Sequence, residues 1–338
     1  MPLPVKVLLN EEIPVPAWQA LILQNPHATP FQTFEWYNLI NSVKGISAEA
    51  IAIAQPSGIL ALAVVTLQKE TGILKGYFSR RGIIYGGPLI DPEFPDALNL
   101  LLSQIKKTLQ KKSIYIETRN FTDYRNYNQI FSSHNYTLTP YLNIIIHLNG
   151  KSLEEVLASM KYNRRREIRL SLEENTTFKK CESQHELDEL YAILSDLYKK
   201  QVKLPLPGID YFKKLWQSEI GKVFVVLHNR KIIGGSLCTI LNEKYIYTMY
   251  YCGIRNYHPK IFPSHLAVLA AIEYGINHGM EYFDFMGAGI KGEEYGVRKY
   301  KQEFGGNLVE HGRFLKINNN FLYTIGKIAL KLKKLNLT

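Results

Sequence analysis

The stretch Tyr282-Phe-Asp-Phe-Met-Gly-Ala-Gly289, continued by Glu293-Glu-Tyr-Gly-Val-Arg-Lys-Tyr-Lys-Gln-Glu-Phe-Gly-Gly306, decides how the rest of the chain is read. A β-rich apolar run carries one acid, Asp284, and breaks into glycines, which let a backbone turn sharply or approach a ligand closely. Arg298, Lys299 and Lys301 then interleave with Tyr295, Tyr300 and Phe304. Such an electropositive wall with stacking surfaces suits a large anionic substrate. Strand alternation turns Asp284 away from Phe283 and Phe285. It faces a cleft, or it anchors the Gly287 loop by accepting backbone N–H groups.

Upstream, the same run closes a repeating pattern. Val223 to Leu227 and Ile232 to Leu241 read as a hairpin turning at His228-Asn-Arg-Lys231, and Tyr245 to Tyr251 as a third strand. A helix with Leu266, Leu269, Ala270 and Ile276 on one face follows, and Tyr282 to Phe285 closes the unit. Near the start, Ala48 to Ala54, the turn Gln55-Pro-Ser-Gly58, and Ile59 to Leu67 form a hairpin. Extended Arg81 to Ile90, a helix carrying Leu98, Leu101, Leu102, Ile105 and Leu109, and the strand Ile114 to Thr118 complete it. Both halves read strand–turn–strand–strand–helix–strand, and Glu117 matches Asp284 in the closing strand. Internal duplication is the economical explanation.

With 338 residues, two domains are expected, at 1–150 and 151–338. The second begins with a basic helical lead-in and ends in a tail, Ile325 to Leu335, that is amphipathic and carries Lys327, Lys331, Lys333 and Lys334. In the lead-in, Ser152-Leu-Glu-Glu155 has the capping-box form. One helix is expected to run from there into Lys161, Arg165 and Arg169, which share a face. A net charge of +11 favours a polyanionic partner: nucleic acid, a phosphorylated precursor or an anionic membrane surface. Cys181, Cys238 and Cys252 have no C-x-x-C spacing and imply neither a disulfide framework nor a zinc site. Met1-Pro-Leu-Pro-Val-Lys lacks the order of a signal peptide, and the longest apolar run, Gly58 to Leu67, is short for a membrane span. A cytoplasmic protein is the expectation.

The ordered set Asp284-Phe-Met-Gly-Ala-Gly, Tyr295-Gly-Val-Arg-Lys-Tyr-Lys301, Phe304-Gly-Gly and Gly312-Arg-Phe resembles the C-terminal signature of the FemABX family. Phe31-Gln-Thr-Phe-Glu-Trp36, Gly86-Gly-Pro-Leu-Ile-Asp91 and Asn163-Arg-Arg-Arg-Glu-Ile168 extend the resemblance over roughly residues 30 to 316. It implies an α+β fold of two tandem GNAT-like domains, mixed sheets flanked by helices. The implied activity is transfer of an amino acid from aminoacyl-tRNA to the peptide stem of a peptidoglycan precursor. A broader GNAT-like group associated with cell-envelope polysaccharides is also similar.

The resemblance assigns residues. Lys301, after Tyr300, would clamp the precursor's phosphates or stabilise an oxyanion. Asp91 would serve as base if desolvation raised its pKa, although Asp91-Pro92 also favours a turn. Tyr300, Tyr211, Tyr250, Arg298 and Trp36 would contact substrate. Independently of the resemblance, the basic face of Lys161, Arg165 and Arg169 would contact RNA or phosphate. Two positions depart from the family: Pro207 stands where some members carry an arginine, and Tyr37 and Asn38 stand near an expected lysine.

A coenzyme A pyrophosphate would need free N–H groups in Arg255 to Ser264, a segment that lacks glycine and contains Pro259 and Pro263. P-loop, zinc-protease and serine-hydrolase motifs are missing, and no metal or redox cofactor is implied. Two other readings stay open: an N-acyltransferase acting on an amino sugar or lipid-linked saccharide, and a non-catalytic module that binds envelope precursors. A lipid-linked substrate would bring the protein to the inner face of the membrane.

Overall fold

The computed structural model describes residues 5–70, 72–242 and 244–335, the side chains of 73–75 and 329–335 excepted. The chain runs through β1 (Lys6–Leu9), α1 (Val15–Gln24), α2 (Phe34–Asn41), β2 (Ile46–Gln55), β3 (Gly58–Gln68), α3 (Ile73–Ser79), β4 (Arg81–Gly86), β5 (Leu89–Ile90), α4 (Ala97–Leu109), β6 (Tyr115–Asn120), α5 (Asn128–Ser133) and β7 (Thr137–Thr139). It continues through β8 (Tyr141–His147), α6 (Leu153–Ser159), α7 (Tyr162–Glu173), β9 (Thr177–Lys180), α8 (Gln184–Leu197), α9 (Ile209–Gln217), β10 (Gly221–His228), β11 (Lys231–Leu241) and β12 (Tyr245–Gly253). The last elements are α10 (Pro263–Asn277), β13 (Tyr282–Ile290), α11 (Gly296–Gln302), β14 (Asn307–Glu310), β15 (Arg313–Ile317) and α12 (Asn320–Leu335).

Two compact units result: residues 1–140 with 311–338, and residues 141–310. The first boundary therefore lies ten residues before the expected 150, and the C-terminal segment belongs to the first unit. The reason is pairing: β15 joins the first sheet between β6 and β7, while β8 joins the second between β13 and β14.

The duplication is plain in the sheets. The first is ordered β1-β2-β3-β4-β6-β15-β7, with β5 on β3, and the second β9-β10-β11-β12-β13-β8-β14. Each has one parallel pair, β4 with β6 and β12 with β13, and the helix joining each pair covers its sheet. Leu98, Leu101, Leu102, Ile105 and Leu109 of α4 pack on Ile53, Ala63 and Ile116. Leu266, Leu269 and Ala270 of α10 pack on Ile246 and Phe283. Each fully buried aliphatic side chain stabilises its unit by about 1.5–3 kcal/mol.

Local chemistry accounts for the turns. Asn229 and Arg230 both take positive φ, 51° and 64°, the geometry that matches hairpin twist. Gly86 and Gly87 sit at φ 78° and 82°, and a Cβ on Gly87 would lie 2.6 Å from the Tyr124 ring. The lead-in is not one helix. Ser152 caps α6, which ends where Met160 is extended, and Lys161 precedes α7 with its N–H donated to Glu303 O at 3.0 Å. A tertiary hydrogen bond overrides the helical pattern there.

Candidate active site

The parallel pairs diverge in their fate. In the first unit the register runs from Arg81↔Tyr115 through Ile83↔Glu117 to Gly86↔Asn120. In the second it runs from Tyr245↔Tyr282 to Tyr247↔Asp284 and stops. Glu117 and Asp284 thus occupy the same, third position of the two ladders, and only the second sheet opens beyond it. β13 then passes through two irregularities, between Asp284 and Gly287 and between Gly287 and Ile290, while following β8. β12 has its own bulge opposite Leu237/Cys238, where Met249 is the extra residue.

The quoted stretch builds this opening. Met286 adopts φ 57°, unusual for a side chain of its size, and its N–H donates to Asp284 Oδ1 at 2.5 Å. The turn is the N–H anchoring anticipated for Asp284. From α11, Lys301 Nζ donates to Phe285 O and Gly287 O, both at 2.7 Å. One turn earlier, Arg298 donates from Nε to Ala288 O at 2.8 Å, from Nη2 to Ile290 O at 2.5 Å and from Nη1 to Glu293 O at 2.8 Å. At i and i+3 the two cations share a helix face and hold the irregular strand by its carbonyls.

Asp284 is 2% exposed. Burial pushes its pKa up to about 7, against the opposing pull of the Met286 N–H, the Lys301 ammonium and the Asn143 amide. Glu117 is held the other way: burial raises it, but Arg119 and Arg313 together keep it below the usual carboxylate range. Arg119 Nε donates to Glu117 at 2.7 Å, and Arg313 Nη1 lies 3.5 Å away. The duplicated acid is neutralised by salt bridges in one copy and left near neutrality in the other.

Along β12, alternation separates Tyr250 from Tyr251. Tyr250 is half-buried, its ring 5.2 Å from Phe212 of α9 and 6.1 Å from Tyr198. Tyr251 stacks on Tyr300 at 5.6 Å. Tyr211 is buried and its hydroxyl donates to Met249 Sδ at 3.7 Å, on the bulge itself. At the far end of β12 a cleft of about 400 Å³ is lined by Arg255, His258, Phe262 and Ser264 among others. Pro263 opens α10 as anticipated, and the N–H groups of His265 and Leu266 both donate to Phe262 O.

Behind Tyr300 lies a group the sequence reading missed. Arg164 of α7 is 2% exposed, with its guanidinium 4.5 Å from the Tyr300 ring and 4.6 Å from the Phe304 ring. Its Nη2 donates to Glu303 Oε2 at 2.5 Å, and Nη1 lies 3.6 Å from Glu167 Oε2. His265 Nδ1 is 3.6 Å from the same Glu167 oxygen, and burial with the Arg164 charge pushes its pKa down to about 3. The signal was present: Arg164, Ile168 and Ser171 recur at i, i+4 and i+7, and all three are buried.

The expected residues therefore fall into two groups. Lys301, Tyr300, Arg298, Tyr211 and Tyr250 all belong to the second unit. Three of the assignments need correcting. Trp36 is 1% exposed, packed edge-on to Phe31 at 4.9 Å in the core of the first unit, so it presents no face to a substrate. Asp91 accepts from Glu93 N–H at 3.0 Å in the turn its Asp-Pro sequence favours. Arg298 is a backbone clamp, its guanidinium committed to three carbonyls. Lys161, just before α7, and Arg165 and Arg169 on it are exposed, and Arg169 lies 3.5 Å from Glu173.

The fold is that of a tandem GNAT protein. Residues 158–302, which contain the sheet opening, match the acetyltransferase (GNAT) domain model. Among solved structures the chain is similar to FemX, with a TM-score of 0.71 and 16% identity, covering 94% of this chain and 99% of that one. It is also similar to the C-terminal domain (DUF2156) of a putative lysylphosphatidylglycerol synthetase from Agrobacterium fabrum, with a TM-score of 0.59, 14% identity and 94% of each chain covered. A tandem GNAT protein from the clavulanic acid biosynthesis pathway aligns with a TM-score of 0.57 and 8% identity, over 94% of this chain and 99% of that chain. No curated protein matches the sequence. Acyl transfer is the chemistry that this fold and domain support.

Proposed function

We propose that this protein is an aminoacyltransferase that moves an acyl group, from aminoacyl-tRNA, to an amine of a peptidoglycan or envelope-polysaccharide precursor. The carrying observation is the sheet opening after Tyr247↔Asp284, which leaves one edge of β12 unladdered beside an acid of pKa about 7. An extended acyl donor can add to such an edge through backbone hydrogen bonds. Tyr250, half-buried beside the Met249 bulge, supplies an apolar wall with a polar tip, and buried Tyr211 supports the bulge through its hydroxyl.

In this reading the acceptor amine attacks the ester carbonyl carbon and its proton passes to Asp284. The tetrahedral intermediate collapses with cleavage of the ester C–O bond, and the proton returns to the departing ribose oxygen. Lys301 holds the strand from which Asp284 projects and adds positive charge near the developing oxyanion. The α10 entry favours a donor other than coenzyme A. Pro263 has no N–H, and two of the next three amides already donate to Phe262 O. The reaction is placed in the cytoplasm, at the inner face of the membrane when the acceptor is lipid-linked.

Purified protein, tRNA charged with radiolabelled amino acids, and either lipid II or a UDP-linked muropeptide test this directly. Label should enter the precursor, and RNase treatment of the charged tRNA before the reaction should abolish that transfer. Transfer from acyl-CoA to an amino sugar, insensitive to RNase, would replace this reading with the N-acyltransferase alternative. Precursor binding with no transfer from either donor would leave a binding module.

A further inference from the structure

The first unit carries an amphipathic helix that leaves Phe321 and Ile328 exposed on one side. α12 is seated by Leu322, which is 8% exposed, by the Tyr323 ring 5.5 Å from Tyr115, and by Gly326 near Phe78 O of α3. At 100° per residue those three positions share one side of the helix. On the other side Phe321 is 73% and Ile328 54% exposed. The sequence continues their spacing, Phe321, Ile325, Ile328, Leu332 and Leu335, in the helical i, i+4, i+7 pattern. Beside it, Tyr77 and Phe78 of α3 are 50% and 40% exposed.

Charge selects the occupant. From Asn320 to Leu335 the sequence contains no Asp or Glu, but Lys327, Lys331, Lys333 and Lys334. A second copy of this helix would bring lysines together without counter-charge. RNA would satisfy the lysines but leave Phe321 and Ile328 in water. A bilayer with anionic headgroups answers both, since its interface takes the apolar face and its phosphates take the cations. No helix among the described residues is long and apolar enough to cross a membrane, so α12 would lie in the interface.

We propose that α12, with Tyr77 and Phe78 of α3, is a docking surface for anionic phospholipid membranes. The surface belongs to the unit without the sheet opening, and its test involves no acyl transfer, so its outcome is separate from that of the proposed chemistry.

The full chain should sediment with phosphatidylcholine vesicles containing roughly 30% phosphatidylglycerol and stay in solution with pure phosphatidylcholine. Phe321→Asp/Ile328→Asp should lower partitioning at least about tenfold with an unchanged thermal melt. Lys327→Gln should lower it about fivefold and reduce its salt dependence. Phe321→Trp should shift its emission to the blue on the anionic vesicles only. Three results would overturn the proposal: no sedimentation with anionic vesicles, sedimentation indifferent to the double substitution, or a dimer that the double substitution dissociates while vesicle binding is unaffected. A Lys327-dependent shift of bulk tRNA, without vesicle binding, would assign the surface to RNA instead.

Discussion

Asp284 is where the two copies of the fold part company, and one substitution separates its possible roles. Asparagine keeps an oxygen for the Met286 N–H and so keeps the turn, but it cannot accept a proton. If Asp284 takes the amine's proton, Asp284→Asn should lower kcat/KM by about 10²–10⁴-fold. The wild-type rate should rise as pH climbs through about 7, where the carboxyl ionises, and the variant should lack that limb. Stability should move oppositely. A carboxyl whose folded pKa lies above its unfolded value favours the protonated fold, so stability declines as pH rises from about 4 through 7. Removing the charge should therefore stabilise the protein at pH 8, by at most about 4 kcal/mol. A purely structural turn residue held at the same pKa would show the gain, read by urea denaturation at pH 8, without the lost limb. The sequence showed Asp284 alternating against two phenylalanines, but not that the ladder ends beside it, because strand pairing is a long-range property.

At the scale of elements, α11 is a clamp more than a wall. The sequence presents Arg298, Lys299 and Lys301 as a cationic surface, and the structure turns Arg298 and Lys301 back onto the carbonyls of β13. The reason lies in the glycines that mark the site. Irregular strand leaves carbonyls without ladder partners, and buried carbonyls need donors. Arg298→Ala should remove three of these bonds, destabilise the second unit by about 1.5–3 kcal/mol, and speed amide exchange across residues 287–293. Arg298→Lys should rescue little, since an ammonium lacks the planar fork that reaches three oxygens. Equal exchange in all three proteins would show that the clamp is idle. Hairpins, the covering helices and the cap at Ser152 were legible because each rests on local pattern. The break at Met160 was not, since it is set by Glu303 from far along the chain, and the burial of Arg164 showed only in its i, i+4, i+7 spacing with Ile168 and Ser171.

For the whole molecule, duplication was the most legible feature, down to the equivalence of Glu117 and Asp284. The strand exchange that returns β15 to the first sheet was hidden, because a short strand carries no mark of its partner. The duplicated fold also buries titratable groups whose protons report on folding. His265 in one unit is pushed down to about 3 by burial and Arg164. His311 in the other is pushed down to about 4 by burial, which outweighs the pull of Asp123. Their unfolded values lie near 6.5, so at pH 5.5 each binds a proton only on unfolding, and stability falls as pH drops below about 6.5. Asp284 has the reverse sign there, holding a proton in the fold and losing it on unfolding. Each proton changes the slope of stability against pH by about 1.4 kcal/mol per pH unit. Relative to wild type, Asp284→Asn should therefore steepen the acid slope between pH 5 and 6 by about that amount. His265→Gln should flatten it equally, whatever offset each substitution adds to the absolute stability. Urea midpoints at a series of pH values decide the matter, and three parallel lines would mean that neither group is held as described.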